Sequence, residues 1–246
     1  MKSKKIILSV VCASLLSLSA HADFLGAEAG YAVWGSSTSG NIQGGSSADS
    51  NIDIEKTLGY DSTAVNGFFW AYLDHPLPLL PNIKIQHTNL KDDASKVVTS
   101  AVQFDGNTYN AKVGSEITLN QTDVIAYWRI LDNWVNVDLG FNLKTIDGNI
   151  KLNTTSKNFK ATVPMLYAKG RFDLPFTGLS VEADISTISY SGNKFTDFKA
   201  GLVYQSSLGL GANLGVRTET LKIDDIDNFN SNLTVSGAYL GVFYHF

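Results

Sequence analysis

Cysteine is almost absent. The 246 residues hold one, Cys12, so the chain can build neither a disulfide framework nor a thiolate metal cage. Histidine is nearly as scarce, with four in all. His75, His87 and His245 lie beyond the N-terminal segment, and none has a serine, an aspartate or a second histidine at a catalytic or ligating spacing. The chain therefore reads as no enzyme, with no metal site and no cofactor. Lys and Arg together number 19 against 23 Asp and Glu, a balance that lacks the basic face nucleic acid requires. Also missing is any apolar run past the N-terminal segment that is long enough for a helical membrane span. A β-barrel is not excluded by that absence, because its strands show lipid only every second side chain.

The N-terminal segment reads as an export signal. Lys2, Lys4 and Lys5 precede the apolar stretch Ile6 to Leu18, and Ala20-His21-Ala22 gives the small-x-small pattern of a cleavage site. Cleavage is expected after Ala22, leaving 23–246 as one exported domain. Removing three lysines and no acids takes the net charge from −4 to −7. Cys12 follows Val11 in mid-stretch, which is no lipidation site.

Beyond the signal the dominant pattern has period two. Val135, Val137, Leu139, Phe141 and Leu143 alternate with Asn136, Asp138, Gly140, Asn142 and Lys144. Leu210, Ala212, Leu214 and Val216 do so against Gly211, Asn213, Gly215 and Arg217. Leu179, Val181, Ala183 and Ile185 alternate with Ser180, Glu182, Asp184 and Ser186. Such strands fit a soluble sandwich or a membrane barrel equally well. Two features favour the barrel. The chain finishes as Leu240, Val242, Tyr244, Phe246 on alternate positions, which resembles the C-terminal signal read by bacterial barrel-assembly machinery. The connections also alternate in length. Ten strands are expected near 25–34, 64–73, 82–91, 116–130, 134–146, 160–172, 179–189, 196–204, 210–219 and 233–246. Short links at 74–81, 131–133, 173–178 and 205–209 alternate with mostly longer polar ones at 35–63, 92–115, 147–159, 190–195 and 220–232. The fold expected is all-β, an antiparallel up-and-down transmembrane β-barrel of ten strands, with eight or twelve still open. The open point is 92–115, where Asp105-Gly106-Asn107-Thr108 marks an extra hairpin that either extends two strands outward or adds two spans.

The polar rows define the candidate site. Glu28, Asp138, Lys144, Lys169, Arg171, Glu182, Asp184, Lys199 and Arg217 should face the lumen, where charges must be paired or wetted. Pairing would plug the barrel, whereas separation would leave a narrow selective pore. Asp74-His75-Pro76-Leu77-Pro78-Leu79-Leu80-Pro81 holds three of the five prolines and reads as a turn. Its leucines should meet the barrel floor or the lipid interface. The acidic run Asp224 to Asn228 lacks the spacing of a calcium loop and reads as a solvated loop, or as one bridged to lipopolysaccharide.

The signal, the opening Asp23-Phe24-Leu25-Gly26-Ala27-Glu28-Ala29-Gly30, Trp34, Leu73-Asp74-His75-Pro76 with Leu80-Pro81-Asn82, Asp147-Gly148 and Phe246 together resemble a family of proteobacterial outer-membrane barrel proteins of about 250 residues, whose members are largely uncharacterised. The resemblance implies the barrel and the outer membrane. It implies no catalytic residue. Two functional classes follow, a structural or surface-exposed barrel with a narrow or plugged lumen and a small porin-like channel for a solute; a lipid- or peptide-modifying barrel enzyme is set back by the missing histidine constellation. Expected partners are outer-membrane lipids, lipopolysaccharide and the assembly machinery, with no nucleic acid.

Overall fold

The computed structural model describes residues 26–44, 49–77, 79–226 and 229–246. The export signal and its cleavage site lie outside them. Thirteen strands occur among the described residues: β1 (Gly26–Gly44), β2 (Ile52–Asp53), β3 (Ala64–Asp74), β4 (Asn82–Val97), β5 (Val102–Phe104), β6 (Asn107–Tyr109), β7 (Lys112–Asp132), β8 (Val135–Leu152), β9 (Thr155–Leu174), β10 (Leu179–Tyr190), β11 (Asn193–Gln205), β12 (Leu210–Ile226) and β13 (Phe229–His245). Ten of them, all but β2, β5 and β6, pair antiparallel with their neighbours in chain order. The sheet closes where β1 pairs with β13 from Glu28–His245 to Gly44–Phe229. Closure removes both edges, as a sheet in lipid requires. The barrel has ten strands, and each of the ten expected segments is one of them.

The strands are longer than the sequence reading placed them. β8 continues to Leu152 and β9 begins at Thr155, so the expected loop 147–159 is a tight hairpin at Asn153 and Thr154. The same holds at 190–195, and β1 runs on to Gly44 through the first part of what read as the long polar link 35–63. The cause is visible along β8. Below Lys144 the outward row is Val135, Val137, Leu139, Phe141 and Leu143; above it, the outward row is Thr145, Asp147, Asn149 and Lys151. The inward row changes the opposite way, from Asp138, Asn142 and Lys144 to Ile146, Ile150 and Leu152. Period two is kept while the apolar phase crosses the wall. β12 repeats the exchange: Leu214 and Val216 give way outside to Thr218 and Lys222, and Arg217 and Glu219 give way inside to Leu221 and Ile223. The lower barrel is built for lipid outside, and the upper barrel for water outside around an apolar core. The apolar row Val135 to Leu143, nine residues tilted in a barrel wall, is roughly 20–25 Å tall, the height of a membrane belt.

The expected hairpin at 92–115 is an outward extension. β4 and β7 stay paired to Val97–Lys112, and β5 and β6 form a separate ribbon across the open end. Asp105 and Gly106 make its turn with positive φ, 48° and 74°, a conformation that favours glycine. Phe104 points from this ribbon into the barrel mouth and packs on Gly44, where a Cβ would meet its ring. Above β3, which starts only at Ala64, the wall is completed by β2 and a π-helical turn, Ile54–Leu58.

At the opposite rim each short turn shows an apolar residue: Leu77, Leu79 and Leu80 in the first, Trp134 in the second, Phe176 in the third and Leu208 in the fourth. In the proline-rich turn the His75 ring accepts from the Leu77 N–H at Nδ1 (3.2 Å) and meets the Pro81 carbonyl with Nε2 (3.1 Å). The leucines are held outward rather than under the floor, and the Leu79 carbonyl approaches the Trp128 indole N–H.

Candidate functional site

The site is the lumen, filled in three layers. The central layer is built on Lys144 of β8 and Arg217 of β12, both 0% exposed. The Lys144 ammonium donates to Gln121 (2.7 Å), Asp123 (3.0 Å) and Asp197 (3.1 Å). Arg217 forks onto Asp197 through Nε (3.0 Å) and Nη2 (2.8 Å), and Nη2 also reaches Glu219 (2.5 Å). Its Nη1 donates to Thr88 at 3.0 Å. Gln121 closes the circuit by donating to Glu219 at 2.7 Å, and Asn142 donates to Asp123 at 2.6 Å. Flat rings cover what the carboxylates leave open. The guanidinium lies 4.9 Å from the Trp34 ring centre and 4.8 Å from that of Phe68, and Lys144 lies 5.0 Å from Phe195. Every charge in this layer has an opposite charge and further hydrogen bonds, the condition under which buried ions persist.

The layer below, toward the short turns, is looser and more exposed. Lys199 donates to Gln86 (2.6 Å) and sits 3.4 Å from Asp184. Lys169 pairs with Glu182 at 2.9 Å. Glu28 accepts from Trp70 (2.8 Å) and Tyr72 (3.0 Å), and His245 stands 3.2 Å from the same tyrosine. Arg129 bridges Asp74 (2.7 Å) and Asp138 (3.2 Å), while Tyr127 donates to Asp74. Arg171 holds Asp173 at 2.8 Å beside a cavity of about 180 Å³ at the rim. The layer above is mainly apolar, with Leu90, Ile117, Ile146, Ile150, Phe159 and Leu233 buried; the Asp92 carboxyl is buried among them and accepts from Thr38 at 2.6 Å.

The nine charges expected in the lumen all lie inside the wall, but not as one network. Lys144 and Arg217 form the sealed centre; Glu28, Asp138, Lys169, Arg171, Glu182, Asp184 and Lys199 occupy the lower layer. Sequence reasoning missed Asp123, Asp197, Glu219 and Arg129. Asp197 and Glu219 carried a usable signal, since each stands two residues from a predicted lumen cation on the same strand. Leu240, Val242 and Tyr244 lie on the outer face of β13, and the Phe246 N–H donates to the Ala27 carbonyl at 2.7 Å. Among the described residues no group of three or more His, Cys, Asp or Glu is placed to hold a metal ion. The acidic run is described only in part: Asp224 closes the outward row of β12, and 227–228 lie outside the described residues. On the open-end side the Lys56 backbone N–H, at 2.9 Å, holds the Asp53 carboxyl below the usual carboxylate range, and the Lys56 side chain adds to it.

No family model matches the chain, and no curated protein matches it. Solved structures do. The chain is similar to Ail, the attachment invasion locus protein of Yersinia pestis, solved in complex with the heparin analogue sucrose octasulfate, at 10% identity over 89% of this chain and 99% of that one, with a TM-score of 0.38. It is similar to the outer membrane protease OmpT from Escherichia coli, at 8% identity over 92% and 98%, with a TM-score of 0.46. It is also similar to the transport unit of the autotransporter AIDA-I from Escherichia coli, at 9% identity over 92% of both chains, with a TM-score of 0.42. At such distances no residue's role passes from any of them to this chain. Of what the sequence resemblance implied, the structure bears out the barrel.

Proposed function

We propose that this chain is an integral outer-membrane barrel with a closed lumen, a structural anchor that carries a rigid β-structure above the outer leaflet. One observation carries the reading: Lys144 and Arg217, fully buried and fully partnered, seal the barrel at mid-height beneath an apolar core. The apolar belt supports insertion in lipid, and the ring of Trp134, Phe176, Leu208 and the turn leucines marks the inner interface, where aromatic and apolar side chains settle. The upper strands, polar outside, then stand in water. In this reading the export signal delivers the chain, and the row Leu240, Val242, Tyr244, Phe246 is what the assembly machinery engages. Outer-membrane lipids and lipopolysaccharide surround the belt. No catalysis is assigned, because the three described histidines serve contacts of the wall and turns: His87, for example, bonds Thr122 and Asn89.

Topology tests this reading. A short epitope inserted between Asn153 and Thr154 should be labelled by antibody on intact cells, whereas one inserted between Ser206 and Ser207 should be labelled only after permeabilisation. Labelling in the reverse order, or a protein that leaves the membrane fraction without detergent, would overturn it.

A further inference from the structure

The seam between β9 and β10 does not close to the top. β9 and β10 pair from Leu174–Leu179 up to Leu166–Thr187 and stop there. Above that point β9 runs on from Met165 to Thr155 paired with β8 alone, and β10 runs on to Tyr190 paired with β11 alone. The two strands diverge around a cavity of about 340 Å³. Its floor is the upper apolar core, with Ile146, Phe159, Phe195, Leu221 and Ile223 reached through the wall. Pro164 stands on the open edge, where a missing N–H costs no ladder bond. It lies opposite Leu143, the last apolar residue of the outward row on β8. The mouth therefore faces the boundary between the apolar belt and water, on the open-loop side.

The rim is basic. Lys160, Lys194 and Lys222 all line the mouth. Lys160 is neutralised by Asp147 at 3.0 Å. Lys194 and Lys222, directly opposite each other across β11 and β12, are exposed and without an ion-pair partner among the described residues. Asp224 follows on the same outward row but bridges neither. Like charges placed opposite on a sheet repel, so this pair gains from an anion bound between them. An apolar slot with an anion-seeking rim at the lipid boundary has the chemistry of an amphiphile site.

We infer that the β9–β10 seam is a lateral binding site for an ionised fatty acid, which slides its alkyl chain from the outer leaflet onto Phe159, Phe195 and Ile223 and sets its carboxylate between Lys194 and Lys222. The volume is at the small end of ligand pockets, about 300–1,000 Å³, room for one chain and not for the several of a lipopolysaccharide. The inference rests on the membrane reading above, and it leaves the lumen closed, since the slot enters above the Lys144–Arg217 layer.

The test is binding of ¹³C-carboxyl dodecanoate to the refolded full chain in zwitterionic micelles, with dodecanol as the uncharged competitor. Saturable dodecanoate binding is expected, weakened about tenfold by the double variant Lys194→Gln/Lys222→Gln, with dodecanol competition unchanged in that variant. Ile188→Trp, which fills the slot, should abolish both. The inference is overturned if the wild type shows no saturable binding, or if the lysine variant binds dodecanoate as the wild type does; the lysines would then only guard an open sheet edge. A heat-modifiable gel shift of every variant reports the barrel itself, so failure of the membrane reading is told apart from failure of this site.

Discussion

At the scale of single residues, the account turns on which solvent each side chain meets. Leu139 is exposed on the outward row within the belt, and Thr145 stands on the same row of the same strand just above it. Leu139→Arg should cost about 2–4 kcal/mol in bilayer unfolding, and Thr145→Arg only about 0–1 kcal/mol. Equal costs at the two sites would misplace the upper edge of the belt. Inside, Arg217→Ala removes the guanidinium shared by Asp197 and Glu219 and leaves Lys144 as the one cation facing three carboxylates in a sealed layer, a loss of about 3–5 kcal/mol. Arg171→Ala frees only a rim pair with Asp173 and should cost far less. Denaturant titration followed by the gel shift separates them, and similar losses would mean that the central layer is not the sealed one. Asn142 reads from sequence only as one member of a polar row; in the fold it is buried between Asp123 and Ser186, a packing that no period-two pattern carries.

At the scale of elements, β8 shows what was legible in the sequence and what was not. Its lower half alternates apolar out and polar in, and that half was read correctly because one phase held for nine residues. Its upper half keeps the period and exchanges the phase just past the expected strand end at Ile146, so Ile150 and Leu152 fell in what was read as a polar loop. The signal was present: Thr145, Asp147, Asn149 and Lys151 alternate against them. It was hidden because a strand crossing from lipid to water reverses which side is apolar, and a search for one continuous face ends where the solvent changes. The ribbon β5–β6 was legible from its Asp-Gly turn, but its role was not, since Phe104 meets Gly44 only through the fold. Gln103 and Asp105 tie this ribbon to Ser50 and Asp49 by backbone N–H bonds of 2.9 Å each. Phe104→Ala should cost about 3–5 kcal/mol as a fully buried aromatic removed from the core. It should also open the ribbon to protease while the lower barrel stays folded. A variant as resistant as the wild type would show that the ribbon is held by its backbone bonds alone.

At the scale of the whole molecule, the antiparallel barrel and the placing of the short turns at one rim follow from alternation and turn chemistry, while the hairpin at 92–115 leaves the strand count open in the sequence and only the fold shows β5 and β6 extending outward. The state of the lumen does not follow from the sequence either, because pairing across a barrel joins residues far apart in the chain: Thr88 to Arg217, Gln121 to Glu219, Lys199 to Gln86. These cross-lumen bonds are what distinguish an anchor from a pore, and they make the central claim measurable. The direct measurement is single-channel conductance of the refolded chain in a planar bilayer, run beside Arg217→Ala, with the gel shift confirming that both are folded. The account predicts a folded and silent wild type, with openings appearing only when the Arg217 layer is broken. Steady, reproducible openings of the wild type would contradict it.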